Sequence, residues 1–178
     1  DFWYRWVADV GITGPDKGKG GKYLILPPGY EGEVPQGYFV VRPSTYGNWV
    51  PFRTFLVDGS PKPGVESVKQ HLKIYPLADA ANPAPVKFAN ASGIPANFVA
   101  PGDYSFWELL DKVIQEEPSA GSDPTTLGLF ASIGIEKGKA FNPDERMKKI
   151  LTDAANIGAV TARTLAFKIR EQDAFFYP

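Results

Sequence analysis

The sequence predicts an α+β fold, in which an antiparallel, sandwich-like β part comes first and helices follow. Residues 2–10 alternate aromatic or apolar side chains with others at a period of two, which indicates a strand. After residue 59 the apolar residues change to helical spacing, and Ser, Asp and Asn stand where helices would begin. Strands first and helices later is the order typical of α+β proteins.

Four stretches of the first third predict strands, at residues 2–10, 23–26, 37–42 and 48–57. Glycine- and proline-rich segments separate them, so we predict antiparallel pairing through hairpin-like connections. Ser60 is then expected to cap a short helix that ends near Leu72. The predicted organisation is an antiparallel β unit with one short helix over residues 1–77, a long surface loop over 78–102 and a helical part over 103–178. All three are expected to form one continuous domain.

Three longer helices are predicted in the helical part. Ser105 and Glu108 form a capping-box pattern, and that helix is expected to end near Glu117. Asp123 precedes Pro124 and is expected to cap a second helix that Gly134 closes.

The third of these helices is predicted to begin at Asn142, with Glu145 reaching back to it, and to run to about Gln172. Gly158 lies inside this pattern, so we expect a kink or a close helix contact there.

Composition excludes several classes of function. The net charge of −1 gives no basic field for nucleic acid. No apolar run approaches the roughly 20 residues of a membrane-spanning helix. The chain has no cysteine and one histidine, His71, which excludes thiolate catalysis and a multi-histidine metal site within one chain. We therefore predict no metal site and no cofactor.

The stretch Gly-Pro-Asp-Lys-Gly-Lys-Gly-Gly-Lys, residues 14–22, is the first candidate site. Glycine N–H groups and lysines bind anions, which makes Lys17, Lys19 and Lys22 the anion-binding candidates. The spacing does not fit a nucleotide P-loop, and no Ser or Thr follows a lysine to hold magnesium. A solvated hairpin loop is the favoured interpretation. A second Lys-Gly-Lys at residues 137–139 would complete an anion pocket if the two loops met.

Arginines interleaved with aromatic residues form the second candidate site. Arginine within an aromatic sheet is either paired internally, here with Asp9 or Asp58, or free to meet an acidic or sugar-like ligand. The internal role is the favoured one of the two. The ligand-binding candidates are Arg5, Arg42, Tyr46, Trp49 and Arg53.

No catalytic residue is predicted, because the carboxylates are scattered and do not suggest the facing pair of a glycosidase. Ser44 and Ser105 lack the Gly-x-Ser-x-Gly context of a hydrolase nucleophile. His71 lies in the predicted short helix between lysines, where a surface or capping role is expected. Whether the chain is an enzyme stays open at this point.

Several long motifs in fixed order resemble one bacterial family, catalogued as paired domains of unknown function numbered twelve fifty-four and twelve fourteen. The motifs are DFWYRWVADVGITGPDKGKGGKYLILPPGY, GYFVVRPSTYGNWVPFRTFLVDG, KIYPL, FWELLDKVIQEEP and IGIEKGKAFNPDERMKKIL. The resemblance implies a longer protein, with β-rich segments before residue 1 and a jelly-roll-like domain after residue 178. It implies no agreed catalytic residues, and it favours an exported bacterial protein, periplasmic or secreted.

The leading functional hypothesis is a ligand-binding or structural β module whose aromatic-arginine face meets a small polar or sugar ligand or the rest of its own polypeptide. The alternative is a hydrolase acting on a carbohydrate or other polar substrate, with its site completed outside this chain. A third hypothesis is a homo-oligomer that assembles through the same face. An uncovered aromatic edge strand at residues 2–10 would promote aggregation, so we expect missing chain or a second copy to cover it.

Overall fold

A computed structural model describes residues 1–95 and 97–168. The chain divides into two compact units, Asp1–Ala96 and Asn97–Pro178. Helices together with a small sheet give the mixed α+β content that the sequence predicted.

The first unit contains two short strands and one helix. Strand β1 is Tyr23–Ile25, strand β2 is Phe39–Val41, and helix α1 is Lys62–His71. A 3-10 turn follows at Leu77–Asp79. Helix α1 lies where the sequence predicted it, but its N-cap residue is Pro61 and not the predicted Ser60. The Ser60 hydroxyl accepts the Lys62 N–H at 3.3 Å just before the cap.

Strands β1 and β2 pair in parallel, with Tyr23 opposite Phe39 and Ile25 opposite Val41. The prediction of antiparallel pairing was therefore wrong. Parallel strands need a connection of about a dozen residues or more, and the proline-containing segment 26–38 supplies one where a hairpin was expected. The described residues form a two-stranded sheet and no jelly roll.

The predicted strands at residues 2–10 and 48–57 were also wrong. Tyr4 takes a positive φ of 57°, which no strand allows, and the Tyr4 N–H closes a turn onto the Asp1 carbonyl at 3.2 Å. In the second stretch, only Val57 is paired, through an antiparallel bridge to Ser60. Aromatic and branched side chains favour a strand only where a neighbouring strand gives them a surface to pack on. Because residues 2–10 do not form a strand, they do not form the uncovered edge strand that was expected.

The second unit contains the three helices that the sequence predicted. They are α2, Ser105–Glu116, α3, Pro124–Ser132, and α4, Glu145–Phe167. Asp123 caps α3 as predicted, since its Oδ2 accepts the Thr126 N–H at 2.8 Å.

The caps of the other two helices differ from the prediction. Ser105 does not cap α2; Asp103 accepts the Ser105 N–H at 3.0 Å instead. Asp144, rather than Asn142, caps α4, because its Oδ1 accepts the Met147 N–H at 2.7 Å. In both cases a carboxylate beside the first turn gains from the positive end of the helix dipole.

Helix α4 is unbroken at Gly158. A Cβ built on Gly158 would meet no other described atom within 4 Å, so the expected close contact there was wrong. The predicted end at Gln172 lies outside the described residues.

Among residues 97–168, a small core joins α2 to α4. Its buried apolar side chains are Ile114, Ile135, Leu151 and Ala155. The Trp107 indole N–H donates to the Leu151 carbonyl at 2.6 Å, which fixes the ring between the two helices. A large aromatic side chain with its polar atom satisfied stabilises such a contact without a desolvation penalty.

Lys137 caps the C-terminal end of α2. Its ammonium donates to three backbone carbonyls, those of Ile114 at 3.3 Å, Gln115 at 2.6 Å and Glu117 at 2.9 Å. The Gln115 side chain in turn accepts the Gly138 N–H at 2.7 Å. The 137–139 loop is thus attached to the negative end of a helix, so the Lys137 ammonium is already engaged by carbonyl oxygens.

We expect Lys137→Met to lower the free energy of unfolding by about 1–2 kcal/mol, because it removes charge-assisted bonds to helix-end carbonyls. Lys139→Met is the matched control in the same loop. Lys139 forms an exposed ion pair with Glu136 at 2.8 Å, so its loss should change stability by less than about 0.5 kcal/mol. Urea denaturation of both variants measures the difference, and equal losses would contradict the capping role.

Candidate functional site

The glycine-lysine loop is organised around the buried carboxylate of Asp16. Its Oδ1 accepts the Gly11 N–H at 2.7 Å and the Tyr23 hydroxyl at 2.5 Å. Its Oδ2 accepts the Gly20 N–H at 3.1 Å. Asp16 is only 6% exposed. The N–H groups of Gly11 and Gly20 therefore point inward and bind the Asp16 carboxylate. They are not available to an external anion.

Tight turns complete this loop. The Lys17 N–H donates to the Gly14 carbonyl at 3.2 Å, and the Lys19 N–H donates to the Asp16 carbonyl at 2.9 Å. Gly14 is required by close approach, because a Cβ at this position would lie 2.4 Å from the Asp9 carbonyl oxygen. The backbone N–H groups of two of the three predicted anion-binding lysines are thus used within the loop.

The charge state of the loop also opposes anion binding. The hydroxyl of Tyr23 holds the pKa of Asp16 below its ordinary value of 3.8, with help from the N–H groups of Gly11 and Gly20. Burial, together with the Asp16 carboxylate, raises the pKa of Tyr23 above its ordinary value of 10.0. Asp16 is thus ionised at neutral pH, and Tyr23 stays a neutral donor. An entering anion would meet that negative charge.

The three lysine side chains are exposed. The Lys22 ammonium lies 5.9 Å from the centre of the Tyr38 ring, at the outer edge of a cation–π contact. Solvated ammonium groups do not form an anion-binding site when the backbone N–H groups beside them point into the loop.

A second arrangement is the exposed ring pair of Tyr4 and Trp49. Together with the exposed Tyr46, three residues before Trp49 in the chain, we call it the aromatic surface. The rings of Tyr4 and Trp49 lie 6.0 Å apart between centroids, at an interplanar angle of 38°. Tyr4 is 84% exposed, and Tyr46 and Trp49 are each 59% exposed. Exposed apolar residues are common when they are isolated, whereas exposed rings in contact with one another mark an interaction site.

Asp1 positions Tyr4. One carboxylate oxygen accepts the N–H groups of Trp3 and Arg5, each at 3.0 Å, and the other lies 2.7 Å from the Arg5 guanidinium. The Ser44 hydroxyl also donates to this second oxygen, at 3.1 Å. The turn holds Tyr4 at φ 57° and directs its ring toward Trp49.

Thr45 positions the other side of the pair. Its side chain is fully buried, and its hydroxyl accepts the Phe2 N–H at 3.0 Å while donating to the Gly47 carbonyl at 2.8 Å. The Asn48 amide donates to the Thr45 and Tyr46 carbonyls at 3.2 and 3.1 Å. Hydrogen bonds thus connect the segment that bears Tyr4 with the turn that precedes Trp49.

The predicted arginines have different environments. Arg5 pairs with Asp1, and its Nη2 donates to the Ser44 hydroxyl at 2.6 Å. Arg42 donates a long bond of 3.4 Å to the Tyr30 carbonyl. Arg53 is exposed and forms no hydrogen bond or ion pair within residues 1–95 and 97–168. Pairing of Arg53 with Asp9 or Asp58 was therefore a wrong expectation.

Sequence reasoning missed Tyr4, Asp1 and Thr45 as parts of this arrangement. Asp1 bonds the N–H group two residues ahead, a pattern that Asp favours in turns, but the period of two over residues 2–10 concealed it. Thr45 gave no signal, because its burial depends on a contact with Phe2, 43 residues away. The Trp3 indole N–H, in the same segment, is buried without a hydrogen-bond partner among the described residues.

Neither a metal site nor a membrane helix emerges from the described part of the chain. Within residues 1–95 and 97–168, no three His, Cys, Asp or Glu side chains are grouped as metal ligands would be. None of the helices described there combines the length and the apolar character that a bilayer crossing requires.

We expect phosphate or sulfate to raise the melting temperature no more than chloride does at matched ionic strength, because the amides of Gly11 and Gly20 are occupied by Asp16. The variant in which Lys17, Lys19 and Lys22 are all changed to Gln is the control and should respond in the same way. A saturable rise in the micromolar range that the triple variant abolishes would contradict the structural role of this loop.

Comparison with known proteins agrees with part of the resemblance. Residues 1–76 match a family described as "Protein of unknown function (DUF1254)". The second domain of the expected pair, numbered twelve fourteen, is not shown. No curated protein matches the chain. The matched segment includes both the Asp16 loop and the aromatic surface, and the family description names no activity.

Proposed function

We propose that this chain is a non-enzymatic binding module that recognises a neutral sugar ring on its aromatic surface. The observation that carries the proposal is the Tyr4–Trp49 pair, whose rings lie 6.0 Å apart and are both more than half exposed. Exposed aromatic faces bind the apolar C–H face of a sugar ring by stacking, while its hydroxyl groups remain available to polar neighbours.

The charges beside the pair favour a neutral ligand over an acidic one. Arg5 is compensated by Asp1 at 2.7 Å, and the Asp1 side chain is only 2% exposed. A carboxylate ligand would have to compete with this internal partner for the guanidinium.

Rigidity supports the same proposal. The Asp1 carboxylate and the Thr45 hydroxyl each bond two or more backbone groups around the pair. A surface already fixed in its binding geometry loses little conformational entropy when a ligand docks. Tyr4 is also held at φ 57°, a conformation disfavoured for a residue with a Cβ, and such strain is concentrated at functional sites.

The hydrolase alternative gains no specific observation and stays a prediction that depends on residues outside this chain. Assembly of identical chains through the aromatic surface likewise stays a prediction, because rings that stack on a sugar also suit a protein interface. The test below separates binding, hydrolysis and assembly. A hydrolase would cleave the sugar, assembly would change the oligomeric state, and a binding module would do neither.

We expect a glycan array to identify a neutral sugar, and Trp49→Ala to weaken its binding at least about tenfold through loss of the stacking face. Tyr4→Gly should weaken binding to a similar extent. It should leave the free energy of unfolding within about 1 kcal/mol, because glycine adopts a positive φ without strain. Titration calorimetry on each variant measures the affinity.

Trp6→Ala is the matched control. Trp6 is 76% exposed and makes no ring contact among the described aromatic residues, so its loss should leave the affinity unchanged. Equal losses for Trp6→Ala and Trp49→Ala would show that the pair has no special role. Release of a cleaved sugar would replace the proposal by the hydrolase alternative, and a change of oligomeric state with Trp49→Ala would replace it by assembly.

A further inference from the structure

The second unit contains a groove of about 420 Å³ between α2, α4 and the segment before α2. It lies within one unit and is independent of the aromatic surface. Its volume falls in the range of about 300–1,000 Å³ typical of small-molecule sites. Its walls are apolar except at Arg163, and Phe106 and Trp107 form the side that faces α4.

The groove exists because α4 presents small residues where α2 presents large ones. Ala154, Gly158 and Ala162 recur at every fourth position and therefore lie along one face of α4. The hydrogen bond from Trp107 to the Leu151 carbonyl prevents the indole from turning into this space. Apart from the adjacent backbone of α4 itself, a Cβ at Gly158 would meet no described atom within 4 Å, so the space beside it is open.

Arg163 supplies charge at one end of this apolar groove. Its guanidinium forms no ion pair or hydrogen bond within the part of the chain that the structure describes. Arginine binds a carboxylate through two parallel N–H donors, more specifically than lysine does. Apolar walls with one guanidinium at the end complement an apolar molecule with one terminal carboxylate.

We propose that this groove binds a medium-chain monocarboxylate, with the carboxylate on Arg163 and the hydrocarbon chain extended toward Ala154. The helix rises about 13 Å along its axis from Ala154 to Arg163, which accommodates an extended chain of this class. Burial of that chain against Phe106 and Trp107 supplies affinity, and Arg163 supplies orientation and selectivity for the acid.

The first experiment compares decanoate, decanol and decylamine by titration calorimetry on the full 178-residue chain, below the micelle-forming concentration of each. Decanoate should bind at least about tenfold more tightly than decanol and decylamine, because only the acid gains the arginine pair. Equal affinities for decanoate and decylamine, or no heat of binding with decanoate, would overturn the proposal.

Two variants with matched controls locate the site. Gly158→Leu fills the open space, and should abolish decanoate binding while raising the melting temperature, because leucine favours a helix more than glycine does. Asn156→Leu changes the same helix at an exposed position outside the groove and should leave binding unchanged. A melting temperature of Gly158→Leu at or above that of the parent chain excludes unfolding as the cause of lost binding.

Arg163→Gln should weaken decanoate binding at least about tenfold and leave decanol binding unchanged, since only the charge pair is removed. Arg146→Gln removes an exposed charge from the same helix, outside the groove, and should change neither affinity. Decanoate affinity that survives Gly158→Leu, or that falls equally in both arginine variants, would show that the acid binds elsewhere.

Discussion

The buried carboxylate of Asp16 is the constraint on which the first unit depends. An ionised group with 6% exposure is tolerated only if its oxygens are hydrogen-bonded, and here two backbone N–H groups and the Tyr23 hydroxyl satisfy them. Because Tyr23 opens strand β1, the same carboxylate joins the glycine-lysine loop to the sheet. The glycines allow the backbone to turn around Asp16, so they serve the loop's own structure.

Side chains that bond to the backbone take the place of an extended sheet in this unit. Asp1 and Thr45 act as Asp16 does, each joining backbone groups of the surrounding turns. Such turns satisfy buried polar groups locally and leave rings such as Tyr4 and Trp49 pointing outward. The second unit uses the same chemistry for its helices, with Lys137 on the end of α2 and Trp107 between α2 and α4.

The helices could be predicted from the sequence because their signals are local: apolar spacing in all of them and, in α3, a capping aspartate and a closing glycine. The strands could not, because a period of two in residues 2–10 reveals no neighbouring strand, and the direction of β2 depends on the path of its connection. In the candidate site, Tyr46 and Trp49 were predicted because they are aromatic residues interleaved with arginines in the sequence. The partner of Arg5 and the ring beside Trp49 depend on backbone turns that the pattern did not reveal.

Titration of the Asp16 carboxyl carbon by NMR tests the central claim, that this carboxylate holds the loop closed. The account predicts a midpoint below 3.8, with the Gly11 and Gly20 amide resonances shifting at the same pH. Since the folded-state pKa is the lower one, the carboxylate stabilises the fold fully above the unfolded-state pKa, and that stabilisation is lost as pH falls through the folded value. A midpoint at or above 3.8, with both amides unaffected, would contradict the account.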